Sequence, residues 1–187
     1  MKAFKYLFFV ALMGVLFYAC TEADLFQSTM EENSKPGVEL VPFKGKFQSV
    51  PAGYDMVTCL DPVYGVEVQA VYENIVSGNA THLGVLDEVE SKLYVLNCEL
   101  NLTEELLIGT LEMTFKNKKG DGIKVLGVSR MGLYGKPSSG EYSVSEGYGK
   151  FEGATGQLSS SGLVNFETGV ADFKMDGLIT KPHTHKK

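Results

Sequence analysis

The chain has 187 residues, 44% of them hydrophobic and 21% charged, which is material for one core of ordinary size and argues against a disordered or fibrous protein. Its net charge is −6 at pH 7, and no run of Lys and Arg offers the phosphate-facing patch from which nucleic-acid binding draws most of its affinity. Nucleic acid is therefore not an expected partner.

The chain opens with Lys2 and Lys5, followed by thirteen uncharged residues, YLFFVALMGVLFY at 6–18. A helix of that length rises only about 20 Å, short of the roughly 30 Å hydrocarbon thickness, so the stretch suits a signal-peptide core better than a permanent span. Ala19 then precedes Cys20, and Leu16-Phe17-Tyr18-Ala19-Cys20 resembles a lipobox in which the cysteine takes up diacylglycerol. Here Leu stands one place early, and Tyr18 is bulky where a small residue is usual. Residues 1–19 are thus expected to be removed. That takes two of the 17 basic side chains and none of the 23 acidic ones, deepening the net charge to −8. The expected partner is a membrane, reached through a lipid anchor on Cys20, and the expected location is the bacterial cell envelope, at the outer membrane. Thr21-Glu22-Ala23-Asp24 resembles a surface-export signal of bacterial lipoproteins.

Residues 20–40 are polar, acidic, broken by Pro36-Gly37 and without apolar periodicity, and are read as a tether. From 41 to 181 nearly every segment is short, alternates apolar with polar residues and ends at glycine or a polar turn. Strands are predicted near 43–50, 65–77, 81–97, 107–116, 123–131, 140–146, 156–166 and 171–179. In the fourth, Leu107, Gly109, Leu111, Met113 and Phe115 share one face, while Ile108, Thr110, Glu112, Thr114 and Lys116 share the other. Period two turns the first set inward. The polar run at 117–122 then makes a hairpin with the fifth strand. In the last strand Ala171, Phe173, Met175 and Ile179 lie opposite Asp172, Lys174 and Asp176. The expected fold is all-β: an eight-stranded antiparallel barrel that closes its own edges, with a two-sheet β-sandwich as the alternative. Residues 182–187 form a C-terminal tail.

Two stretches, Gly78-Asn79-Ala80-Thr81-His82-Leu83-Gly84 and Gly147-Tyr148-Gly149-Lys150-Phe151-Glu152-Gly153-Ala154-Thr155-Gly156, carry a family resemblance. Their order and separation resemble uncharacterised bacterial proteins of the allene oxide cyclase barrel-like group, itself similar to the plant dirigent proteins. The resemblance spans residues 42–180. Glu146 and Tyr148 depart from it, standing where the group has Gly and a small polar residue. It implies an eight-stranded barrel and, for bacterial members, no established activity.

Candidate chemistry is sparse. The glycines at 147–156 lack both the spacing and the strand–helix context of a phosphate loop, and Lys150 is followed by Phe151 rather than Ser or Thr, so they read as a structural turn. His82 reads as a hydrogen-bonded structural histidine, and His183 and His185 as part of the tail. Neither a metal site nor a cofactor is expected, and no nucleophile elbow is present. With Cys20 lipidated, Cys59 and Cys98 remain as an even pair in an oxidising compartment, either bridged or both free and buried. Tyr72, Asn97, Glu99, Tyr142 and Glu146 share the parity of inward neighbours, with rim or solvent-facing placement as the alternative. Two functions follow: a non-enzymatic, lipid-anchored binding or interaction module whose ligand or envelope protein partner is unknown, or an isomerase or cyclase acting on a small apolar substrate in the barrel. The inward Leu111, Met113, Phe115, Phe173 and Met175 are expected nearly to fill the interior, leaving no cavity of about 300 Å³ or more and moving any binding to the loops at a mouth.

Overall fold

A computed structural model describes residues 39–183. Residues 1–38 and 184–187, and with them the leader, Cys20 and His185, lie outside the described residues. Among the described residues eleven strands are present: β1 (Leu40–Pro51), β2 (Met56–Leu60), β3 (Glu67–Val71), β4 (Glu73–Ala80), β5 (Gly84–Val85), β6 (Lys92–Asn101), β7 (Leu106–Lys116), β8 (Gly122–Gly132), β9 (Ser138–Tyr148), β10 (Gly156–Asn165) and β11 (Val170–Thr180). Eight of them close a ring in the order β1–β4–β6–β7–β8–β9–β10–β11, with β1 returning to β11. Every neighbouring pair in the ring is antiparallel. The predicted barrel is therefore the fold, and the β4–β6 pairing that shuts it excludes two separate sheets.

The predicted segmentation differs from the strands at two places. Segment 65–77 divides at Tyr72, so that β3 pairs with β2 in an added hairpin while β4 enters the ring. Segment 81–97 divides into the short β5 and the long β6. The strand that alternation does not predict is β2, whose one buried residue, Cys59, leaves it no apolar face to read. The hairpin has a structural purpose. β4 covers only Lys92–Tyr94 of β6, and β2 takes over further along, where Leu60 lies beside Glu99. A disulfide joins Cys59 to Cys98 at that point, with Cα atoms 4.8 Å apart. The buried Asp61 adds a second tie by accepting the Leu102 N–H at 2.8 Å together with those of Val63 and Tyr64. These bonds, led by Leu102, favour the ionised carboxylate and hold it below its ordinary value of 3.8, against the opposing effect of desolvation.

Inward residues divide the barrel into two unlike halves. Toward the end where β7 finishes and β8 begins, Phe43, Phe115, Ile123, Phe151, Leu158, Met175 and Ile179 are fully buried and fill the interior. Phe151 arrives on the glycine-rich segment, which forms a 3-10 turn at Gly149–Phe151. Gly149 has φ +61°, and a side chain at Gly147 would strike the Phe151 carbonyl, so these glycines let the chain fold over the barrel end. Toward the other end the inward positions are small: Ser49, Ser129, Gly140, Ser160, Gly162 and Ala171. Outside, Lys44, Lys46, Lys174, Asp172 and Asp176 are exposed.

Candidate functional site

The small residues leave space. An apolar cavity of about 860 Å³ occupies the open half of the barrel. The expectation of a filled interior is thereby overturned: Phe115 and Met175 sit in the packed half, whereas Leu111, Met113 and Phe173 line the cavity. Behind that floor Phe47 stacks on Phe115 at 4.6 Å and tilts against Phe173 at 5.4 Å. Leu93 and Val95 of β6 continue the wall, and the added hairpin contributes Val66, Val68, Gln69, Ala70 and Val71. Phe166, Glu167 and Thr168 of the β10–β11 turn and Leu133 and Tyr134 of the β8–β9 turn form the rim.

Of the five polar residues predicted by parity to face inward, Tyr142 lines the cavity and the others do not. Asn97 and Glu99 are exposed because a bulge between Val95 and Asn97 adds Leu96 to the strand and reverses its alternation, turning Cys98 and Leu100 inward instead. Glu146 is displaced by the same device. On β9 the register slips between Val144 and Glu146, so Gly147 points inward while Glu146 accepts the Tyr148 hydroxyl at 2.9 Å and pairs with Lys124 at 3.8 Å. Tyr72 stands at the junction of β3 and β4, with its ring 5.3 Å from that of Tyr94. His82 makes a turn at φ +66° and places Nε2 3.2 Å from the Pro42 carbonyl. His183 uses its backbone N–H to bond the Lys150 carbonyl, and Lys150 itself lies beside Asp121 in the structural turn.

Tyr142 is 3% exposed and lies across the inner face of β8 and β9, where a side chain at Gly127 or Gly140 would strike it. Burial pushes its phenol above the ordinary value of 10; interaction with the Ser129 and Ser160 hydroxyls opposes this, and the Glu141 charge adds slightly to it. The phenol is therefore neutral at physiological pH. Ser129 Oγ also donates to the Ser139 carbonyl at 3.3 Å. Ser129, Ser160, Ser49 and Asn74 were not among the predicted site residues. Their signal is nonetheless in the sequence, as polar residues on the parity of buried apolar neighbours in the same strand.

The raised value has a measurable consequence. Above pH 10 the unfolded tyrosine loses its proton while folded Tyr142 keeps it, so stability should fall as pH rises from that point toward the folded value. Tyr142→Phe should make this alkaline decline shallower in urea denaturation across that range. An unchanged slope would place the phenol in water.

The described residues define a class: an eight-stranded antiparallel barrel, packed at one end and hollow at the other. No family model matches the chain, and none of the curated proteins does. Among solved structures it is similar to the pterocarpan synthase dirigent protein PsPTS1, at 17% identity and a TM-score of 0.41, over 78% of this chain and 97% of that one. It is likewise similar to the pterocarpan synthase dirigent protein GePTS1, at 16% identity and a TM-score of 0.42, over 78% of this chain and 92% of that one. The chemistry of the cavity rests on this chain's own residues.

Proposed function

We propose that the protein is a lipid-anchored envelope protein that binds a small apolar molecule in the open half of its barrel without transforming it. The observation that carries the binding reading is the cavity. Its volume of about 860 Å³ suits a drug-sized molecule, and aliphatic and aromatic side chains dominate its lining. Isomerase or cyclase chemistry calls for ionisable groups that converge on the substrate, whereas of the five candidate polar residues Tyr142 alone lines the cavity and Glu167 stands at the rim. Anchoring is supported by the leader and by Cys20 in the sequence.

Native mass spectrometry of protein purified from its own host tests the binding reading. We expect an adduct on the order of a few hundred daltons, and we expect Leu111→Trp, which adds bulk to the cavity wall, to abolish it. Retention of the adduct by a folded Leu111→Trp protein would place the ligand elsewhere. Anchoring is tested separately: Cys20→Ser should abolish lipid labelling and release the protein from the membrane fraction, and unchanged labelling would refute the assigned cleavage site.

A further inference from the structure

Resting on the binding reading, we infer that the cavity selects an uncharged ligand: an apolar body carrying one neutral hydrogen-bonding group, such as a hydroxyl, that meets Tyr142, Ser129 and Ser160, with carboxylate-bearing analogues rejected. The first observation is the charge pattern. Among the residues that line the cavity, the one charged at neutral pH is Glu167, which stands at the rim and is negative. An anion entering this space would pass that carboxylate and then lose its hydration with no lysine, arginine or histidine on the lining to replace it. Lys136, on the β8–β9 turn, is engaged outside the cavity with Glu105. A fatty acid therefore meets repulsion at the mouth and uncompensated desolvation inside.

The second observation is the placement of the neutral polar groups. Tyr142, Ser129 and Ser160 come from β9, β8 and β10, three adjacent strands: Ser129 and Ser160 flank Gly140 from either side, the Tyr142 phenol lies over that glycine, and all three line the cavity. Three hydroxyls supply both donors and acceptors, so a ligand hydroxyl placed there exchanges water for protein partners, while the rest of the ligand is held by apolar contact. This hydroxyl cluster orients the ligand, with its neutral head toward β8–β10 and its tail along Leu93, Val95, Leu111 and Met113; Ser49 and Asn74, on β1 and β4, are other buried polar residues on the lining.

Decane, 1-decanol, decanoate and methyl decanoate make the test, each titrated against a displaceable fluorescent probe at pH 8 with the full-length protein. Decanol should bind most tightly and decanoate at least about tenfold more weakly, with methyl decanoate recovering most of the loss because the ester is uncharged. Tyr142→Phe and Ser160→Ala, each checked for native folding by circular dichroism and urea denaturation, should weaken decanol by several-fold and leave decane unchanged. Binding of decanoate as tight as that of decanol, or equal loss of decane and decanol in Tyr142→Phe, would overturn the selectivity while leaving the binding reading intact. Failure of all four to displace the probe would instead refute the binding reading itself.

Discussion

Replacing Phe115 with alanine should destabilise the barrel by about 3–5 kcal/mol, the range for deleting a fully buried aromatic side chain from a well-packed interior. Phe115 has no solvent exposure, stacks on Phe47 at 4.6 Å and belongs to the same buried cluster as Ile123, Val125 and Met175. These neighbours sit on strands whose registers are set by their own ladders, so they cannot close over the void. Leu111→Ala, four residues away on the same inward face of β7, should cost about 2 kcal/mol, near the low end for such a truncation, because Leu111 already borders open space. Urea denaturation of the two variants beside the parent checks this. Equal costs would mean that the two halves of the barrel are packed alike.

Cys98→Ser should remove about 4 kcal/mol of stability, since the Cys59–Cys98 bond closes a segment with a sequence separation of 39 and the chain-entropy model assigns a loop of that size this much. The effect should also reach the cavity. Without the bond the β2–β3 hairpin keeps one bridge to β6, Leu60 beside Glu99, and the Asp61–Leu102 hydrogen bond, while it supplies Val66, Val68, Ala70 and Val71 to the cavity wall. A ligand held against that wall should dissociate faster from the variant, and the parent should show the same acceleration after treatment with a dithiol reductant. Identical unfolding midpoints of the parent with and without reductant would show that the two thiols are not bridged in the mature protein.

The failures of parity have a common form. Leu111, Met113 and Phe115, like Phe173, Met175 and Ile179, face inward as alternation predicts, because neither β7 nor β11 carries an extra residue of its own; the bulge in the β6–β7 ladder lies on β6. Asn97, Glu99 and Glu146 turn outward because each lies beyond a bulge, and one extra residue exchanges the two faces of everything that follows it. A bulge is created by the pairing of two strands, so neither Leu96 nor Ser145 marks one in its own sequence. The split at Tyr72 has a similar origin. Residues 67–80 alternate as one strand would, but β4 can shut the ring only if β3 leaves it to extend the wall beside β2.

The sequence by itself determined that the described chain would be all-β, which side chains of its uninterrupted strands would face inward, and that the glycines near 147–156 would make a turn. These are local properties, carried by period-two alternation and by the conformational freedom of individual glycines. Only the tertiary structure decided that the barrel is half hollow. Whether an interior fills depends on the summed volume of the inward side chains that stand at one level. Strand register brings Phe43, Phe115, Phe151 and Met175 together in one half of the barrel, and in the other it gathers Ser49, Ser129, Gly140, Ser160 and Gly162. The same register places Tyr142 beside Ser129 and Ser160, residues on three consecutive strands that are joined only when the ladders align.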